Sequence, residues 1–505
     1  MPQYKVKYGD AVIPDGFFLS RNRSEAAPSP LYSDQTGVFF RHLSTFPERS
    51  TIKEAVLELL SVASRHIFFC NFLLQDEDVV QALLDANQRL NGHVYVLTTL
   101  KADDLAGVEG SEDGADFESH MACIQRMTQQ GMLVKARSDC HAKFLTIDDS
   151  LAIVTSANAV PTCYGNVPRP GSKPREANPE NGVFLSIPGE VRRLANFFRA
   201  LWRRGCNYKV APDPKAFDVQ QITAATQSVT AREPTAPADE GEVLWTAPGD
   251  CRILERLLGM VRGARESISL STWVIKGMDT HELGRALHES AQRGVQLQAL
   301  VRGMRRDDHR RQCYLLARDL GQQIAILGDY WNHSKAVVID GKEAMVLSAN
   351  LDAQHGLNNG IEVGFYSRQE MFVKAVQGFL ARLTADAKLE FVANPTQATV
   401  ADRYGSQKGQ RLGGKLRIRF FSEGNRNDRL AERFCQAAET DLVRIAWCKL
   451  KGQDALALAT DQMVLYCRPM RGQSLEAYEI SDNPRNDERS LFDSYLRAAE
   501  IVLET

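Results

Sequence analysis

Two stretches decide the reading of this chain: CHAKFLTIDDSLAIVTSAN, from Cys140 to Asn158, and NHSKAVVIDGKEAMVLSAN, from Asn332 to Asn350. In each, a His stands two residues before a Lys: His141 and Lys143, then His333 and Lys335. An Asp follows five after the Lys, at Asp148 and Asp340, and Ser-Ala-Asn closes ten after the Asp, at Ser156 to Asn158 and Ser348 to Asn350. The apolar residues between these landmarks differ freely. A lone His in a strand is more often a packed or surface residue than a reactive one. A duplication kept only for architecture would preserve apolar alternation, whereas here the polar residues are what the copies share.

The repeat extends outward. TIKEAVLELLSVASRHIFFCNFLL parallels RILERLLGMVRGARESISLSTWVI; each opens with an apolar stripe at helical spacing and then enters a short strand. HVYVLTTL matches VQLQALVRG, MLVKARS matches QIAILGD, and ENGVFLSI pairs with IEVGFYS, which aligns Glu180 with Glu362. Six strand-like segments per copy, interleaved with helical patterns, predict two α/β lobes. The first lobe, with an irregular N-terminal extension, is expected over residues 1–210. A Pro-, Ala- and Thr-rich linker is expected over 211–242, the second lobe over 243–390, and a small α+β domain over 391–505. In that last unit KLRIRFF, LVRIAWCKL, LALAT, MVLYCRP and LEAYEI read as strands; NDRLAERFCQAAET and ERSLFDSYLRAAEIVLE read as helices.

Composition bounds the partners. The chain has 505 residues, 44% hydrophobic and 25% charged, the balance of a globular protein with several domains. Net charge is −2, so no overall basic field holds it on a polyanion and any such site must be a local patch. No apolar run reaches the length of a membrane span, and the N-terminus lacks a signal core. Ten Cys without C-x-x-C pairing read as reduced thiols, and a cytoplasmic location is expected. No cofactor and no metal is expected, since no Asp/Glu/His cluster has ligand spacing in the sequence. GQRLGGKL, from Gly409 to Leu416, nearly spells a phosphate-binding loop, but Leu416 stands where a hydroxyl must ligate magnesium. His120 and His309 read as exposed helical histidines.

In extended chain, residues i and i+2 project from one face, so each His and Lys point together. Each copy then offers an imidazole, an ammonium and an amide, a set suited to a phosphodiester. Lys and Asn stabilise charge developing on phosphoryl oxygens, and imidazole acts as nucleophile or proton donor near neutrality. One copy cannot both attack phosphorus and protonate the leaving oxygen on the opposite side; two facing copies can. Both copies lie in one polypeptide, so no homodimer is required.

These residues resemble the phospholipase D superfamily, whose signature H-x-K-x4-D-x6-G-S-x-N is usually duplicated. The resemblance covers roughly residues 40 to 390 and departs at Thr155 and Leu347, where the family has Gly. It implies two α/β/α sandwich lobes related by a pseudo-twofold and a phosphohistidine intermediate without metal. It further implies His141 as nucleophile, His333 as general acid, and Glu180 and Glu362 as acids that orient an imidazole. Asp148 and Asp340 match the motif Asp, which pins strand and turn. Lys143, Lys335, Asn158 and Asn350 complete the catalytic set, with Ser156 and Ser348 beside the substrate.

The superfamily includes phospholipases, phosphatidyl transferases, cardiolipin synthases and nucleases. Two features favour nucleic acid. VRGMRRDDHRR places Arg302, Arg305, Arg306, Arg310 and Arg311 in one short loop after a strand. A first-lobe insertion between Asn158 and Glu180 carries Arg169, Lys173, Arg175 and Tyr164, suited to phosphates and base stacking. The expectation is a nuclease acting on DNA or RNA, in DNA processing or phage defence, with protein partners through the C-terminal unit. The alternatives are a soluble phospholipase or phosphatidyl transferase, and a non-catalytic nucleic-acid-binding scaffold.

Overall fold

The computed structural model describes residues 16–21, 39–100, 117–165, 177–213, 217–222, 241–303 and 307–394, with Arg433 and short strands at Tyr4–Tyr8 and beyond residue 414. Two ten-stranded sheets dominate it. The first runs, in spatial order, Arg49–Ser50, Phe40–Phe46, Glu180–Leu185, Leu151–Thr155, Phe144–Ile147, Ile67–Cys70, Val94–Thr98, Leu133–Ala136, Tyr208–Val210 and Val219–Gln221. The second runs Asp250–Cys251, Glu242–Ala247, Glu362–Ser367, Glu343–Leu347, Ala336–Ile339, Ser267–Thr272, Gln296–Arg302, Ile324–Asp329, Leu389–Ala393 and Gly16–Ser20. The orders correspond strand for strand, so the internal repeat is a repeat of architecture. The six expected segments per copy are the centre of each sheet, and the two-lobed α/β fold is as the sequence predicts.

The outermost position breaks the symmetry of chain order. In the first sheet it is filled by Val219–Gln221, which follows the lobe; in the second it is filled by Gly16–Ser20, which pairs antiparallel with Leu389–Ala393. Part of the N-terminal extension therefore completes the second lobe. Beyond residue 414, Arg444–Leu450, Gln453–Ala459, Val464–Pro469 and Tyr478–Ser481 form an antiparallel meander. Tyr4–Tyr8 lies between Lys415–Ile418 and Ile501–Glu504. The last of these is a strand where the sequence predicts the end of a helix; the rest of both expected helices lies outside the described residues, Arg433 excepted.

The helical stripes bury what their spacing predicts. Thr51–Val62 begins at Ser50, whose hydroxyl accepts from the Lys53 amide, and buries Ile52, Ala55, Val56, Leu59 and Leu60. Arg252–Gly263 buries Ile253, Leu254, Leu257, Leu258, Met260 and Val261. A third core joins the lobes through the helices Pro188–Ala200 and Glu370–Asp386. There Phe197 stacks on Trp245 at 5.0 Å between ring centroids, and Phe40 meets Phe372 at 5.4 Å. Each such ring contributes about 1.5–3 kcal/mol by burial, so the lobes are held as one body.

His120 and His309 correct the sequence reading. Both are buried, at equivalent places: His120 Nδ1 accepts from the Leu74 amide and His309 Nδ1 from the Ile275 amide. They close the equivalent loops that follow Ile67–Cys70 and Ser267–Thr272.

Candidate active site

Phe144–Ile147 and Ala336–Ile339 are buried along their whole length, each antiparallel to both neighbours. Their N-terminal ends therefore lie at the carboxyl ends of Ile67–Cys70 and Ser267–Thr272, the usual edge for a site in such a sheet. His141 and Lys143, and His333 and Lys335, occupy the extended entries to these strands. Each ammonium turns back to its own histidine: Lys143 Nζ donates to the His141 carbonyl at 2.5 Å and Lys335 Nζ to that of His333 at 2.7 Å. Both lysines are fully buried.

The carboxylates cross between lobes. His141 Nδ1 lies 2.8 Å from Glu362 Oε1, and His333 Nδ1 lies 2.5 Å from Glu180 Oε1. The second oxygen of each Glu accepts from the serine of its own lobe, Ser348 for Glu362 and Ser156 for Glu180. Backbone contacts tighten the crossing: the His141 amide donates to the Ile361 carbonyl at 3.0 Å and the His333 amide to that of Pro179 at 3.2 Å. Asn181 reaches across as well, with Oδ1 accepting from the Lys335 amide and Nδ2 donating to the Lys335 carbonyl. Its counterpart is Val363, so this clasp exists once. Each carboxylate fixes the ring proton on Nδ1 of the neutral imidazole and directs the lone pair to Nε2.

Burial pushes the His141 imidazole below the usual histidine range; Glu362 opposes the shift while Lys143 and Lys335 add to it. Burial pushes His333 well below that range, reinforced by Lys335, Lys143, Arg302 and His141. Burial alone would raise the Glu362 carboxyl, but His141, Lys143 and Ser348 together hold it below the ordinary carboxylate range. The two histidines and two lysines thus form one electrostatic unit. The His141 side chain is 19% exposed and that of His333 3%, so the site is reached from the His141 side.

Neighbouring aromatics complete the walls. Phe72 meets His141 edge-on at 4.8 Å between centroids and faces the Lys143 ammonium at 5.3 Å. Its counterpart Trp273 stands 6.4 Å from His333. Asn158 and Asn350 are buried, and Asn350 Oδ1 has no hydrogen-bond partner among the described residues. Arg302 is buried at the end of its strand, donates to the Tyr330 carbonyl at 2.9 Å and lies 5.7 Å from the Trp331 ring centroid. Arg305, Arg306, Arg169, Lys173 and Arg175 lie outside the described residues. Tyr164 is buried, not poised for stacking.

Asp148 and Asp340 do not join the histidines. They lie at the far ends of the two strands, both with positive φ, at 55° and 53°. Asp148 accepts from the amides of Ser64, Arg65 and His66; Asp340 accepts from those of Arg265, Glu266 and Ser267. They tie the strand end to the segment after the preceding helix and position the site from a distance, the pinning part that the resemblance implies for the motif Asp, and they do not reach the reacting groups. Thr155 and Leu347, where the motif has Gly, are accommodated across the ladder, because Gly182 faces Thr155 and Gly364 faces Leu347. A Cβ on Gly182 would come within 3.0 Å of the Thr155 side chain.

One donor cluster escaped the sequence: Cys163, Glu180 and His333 place donor atoms within 4.8 Å of one another. The Glu180–His333 hydrogen bond already engages the facing atoms of two of them, and Cys163 Sγ accepts from Asn178 at 3.4 Å. No helix among the described residues is long and apolar enough to cross a membrane.

The solved structures most like this one include phosphatidylserine synthase from Haemophilus influenzae Rd KW20. It has 12% identity over 78% of this chain and 92% of that one, with a TM-score of 0.50. Polyphosphate kinase from Porphyromonas gingivalis aligns at 16% identity over 68% of this chain, with a TM-score of 0.42; the chain spans about half, 49%, of that enzyme. Nuc from Salmonella typhimurium, a phospholipase D family member, aligns at 16% identity with 29% of this chain and 95% of its own, TM-score 0.25. A search of curated proteins gives no match. The family model described as "Cardiolipin synthase, PLD-like domain" matches residues 56–202 and 257–383, one span in each lobe and together more than half of the sequence. With both His-x-Lys elements inside those spans, the chain belongs to the phospholipase D-like family.

Proposed function

We propose that the protein is a metal-independent phosphodiesterase that works through a phosphohistidine and acts on nucleic acid. The observation that carries the chemistry is the crossed pair of His–Glu contacts within reach of two buried lysines. In the first step the His141 Nε2 lone pair forms a bond to phosphorus as the bond to the leaving oxygen breaks, and that oxygen takes a proton from His333. In the second, water attacks phosphorus as His333 takes its proton, and the P–N bond breaks. Lys143, Lys335 and the two Asn amides stabilise the charge on the non-bridging oxygens. His141 is given the attack because it is the more exposed imidazole.

Without substrate, the lysines and Arg302 oppose protonation of His333. A bound phosphodiester brings a negative charge among them and favours the imidazolium, so the acid is armed by its own substrate.

Nucleic acid is supported by Arg302, whose charge acts on His333, and by Arg305 and Arg306, which follow it in the sequence. Arg310 and Arg311, expected in the same loop, lie instead on the helix Asp307–Leu320, where Arg310 donates to the Gly16 carbonyl at 3.0 Å. Phosphatidyl transfer is the second reading, favoured by the family's description and by the phosphatidylserine synthase fold. A cytoplasmic setting, and protein partners for the C-terminal unit, belong to the first reading. Labelled single-stranded DNA, duplex DNA, RNA and phosphatidylcholine, each incubated in excess EDTA, separate the two. Cleavage of a nucleic acid in EDTA is expected. Hydrolysis of the lipid alone overturns the substrate; loss of all activity, restored by magnesium, overturns the chemistry.

A further inference from the structure

A hollow of about 340 Å³ lies where the lobes meet, with Asn332 and Pro179 in its wall, the residues immediately before His333 and Glu180. Phe46 of the first lobe and Trp331 of the second also line it, with Arg382 and Asp386 from the helix Glu370–Asp386. The Arg382 guanidinium sits 3.7 Å from the centroid of the Phe46 ring and pairs with Glu48, so that side is a braced flat surface. Also in the second lobe, Trp331 is half-buried and has Arg302 near its ring. Beside it Tyr330 is 37% exposed, one of few large apolar side chains so open among the described residues.

This corner breaks the repeat. Where the second lobe has Tyr330 and Trp331 three and two residues before its reactive His, the first has Ser138 and Asp139, and Asp139 is paired with Arg137. The duplication kept the reacting groups and changed what precedes one of them. The added feature is an aromatic plane, with carboxylates at Asp329 and Asp386 and cations at Arg382 and Lys388 around the rim. A mixed rim of this kind suits a flat ring that carries both N–H donors and acceptors. It is too small for a pair of acyl chains, and its carboxylates do not favour a second phosphate.

We propose that this hollow takes the nucleobase next to the scissile phosphodiester, stacked on Trp331. The inference rests on the nucleic-acid reading above and favours strands whose bases are unpaired, since a paired base must first leave its stack and its partner to enter the hollow.

The test is the ratio of kcat/KM for a single-stranded oligonucleotide to that for the same oligonucleotide with an abasic site beside the cleaved bond. Stacking is worth about 1–3 kcal/mol per base, so the full-length protein should prefer the intact strand by roughly five- to 150-fold. Trp331→Ala should bring the ratio close to one, and Trp331→Phe should restore most of it. A folding defect would lower both rates and leave the ratio standing. A ratio that survives in Trp331→Ala, or a wild-type protein indifferent to the missing base, overturns the inference while leaving the nuclease reading intact. A wild-type protein that cleaves neither oligonucleotide but hydrolyses phosphatidylcholine overturns the nuclease reading itself.

Discussion

Replacing Glu362 with Gln changes one heavy atom and is expected to lower kcat by about 10–10⁴. The carboxylate accepts from His141 Nδ1 at 2.8 Å on one oxygen and from Ser348 Oγ on the other, while Ser348 Oγ itself accepts from the Val363 amide at 3.0 Å. An amide cannot accept from both partners. If its oxygen faces His141, its NH₂ faces Ser348, whose proton must turn away and lose its acceptor; if its NH₂ faces His141, the ring proton is driven to Nε2 and the attacking lone pair is lost. Losing one charge-assisted hydrogen bond costs about 1.5–3 kcal/mol, roughly ten- to 150-fold, and a wrong tautomer about 10⁴. Glu180→Gln makes the same change at His333, and leaving-group dependence tells the two apart. With a p-nitrophenyl diester the leaving oxygen needs little protonation, so Glu180→Gln should lose far less than on an alkyl ester. Glu362→Gln should lose heavily on both. The assay is steady-state kcat on the two esters. A Glu362→Gln protein within fivefold of wild type refutes the orienting role, and the opposite pattern of leaving-group dependence reverses nucleophile and acid.

His333→Ala should accumulate a covalent phospho-adduct on a p-nitrophenyl diester and His141→Ala none; acid-labile label retained by His141→Ala refutes the assignment. Burial pulls His42 down to about 3 and His120 to about 4 from 6.5, so the unfolded chain binds protons that the fold refuses, and stability must fall as pH drops below about 6.5. At pH 5 each should cost ~2 kcal/mol relative to pH 7.5, read from guanidinium unfolding; a flat profile contradicts this. Gly182→Ala should destabilise by about 1–3 kcal/mol through close approaches to the Thr155 side chain and the Val154 carbonyl, and Thr155→Gly in the same chain should relieve only part of it, because the carbonyl contact remains; unchanged stability in the single variant means that the ladder absorbs the methyl group.

The fold was readable because two constraints were each written twice: apolar periodicity gave the elements, and the recurring His, Lys, Ser, Asn and Glu gave the groups that meet. The pairing was not readable. Glu180 serves His333, 153 residues away, and Glu362 serves His141, 221 away, and no local pattern says that the lobes exchange carboxylates. Asn181 went unnoticed for the opposite reason: its counterpart is Val363, so nothing repeats. His120 and His309 read as exposed helical residues, although the sequence holds a signal to the contrary. His120 shares a face with Cys123, Ile124 and Met127, and all four are buried. His309 is followed four residues later by the buried Cys313. A polar residue inside an apolar stripe is a buried residue with a partner to find. Asp148 and Asp340 share the motif's rhythm, yet rhythm does not distinguish a group that reacts from one that ties down the strand's far end.

The strand Gly16–Ser20 has a consequence for the order of events during synthesis. Its partner, Leu389–Ala393, leaves the ribosome roughly 370 residues later, which at about 5–20 residues per second is on the order of 20–75 s. Until then Phe17, Phe18 and Leu19, all buried in the finished sheet, have no native place to go, while the first lobe can fold behind them. A nascent chain that must keep an apolar strand waiting so long is a natural client for a ribosome-bound chaperone. It is also open to pairing with the same strand of a neighbouring chain on one message.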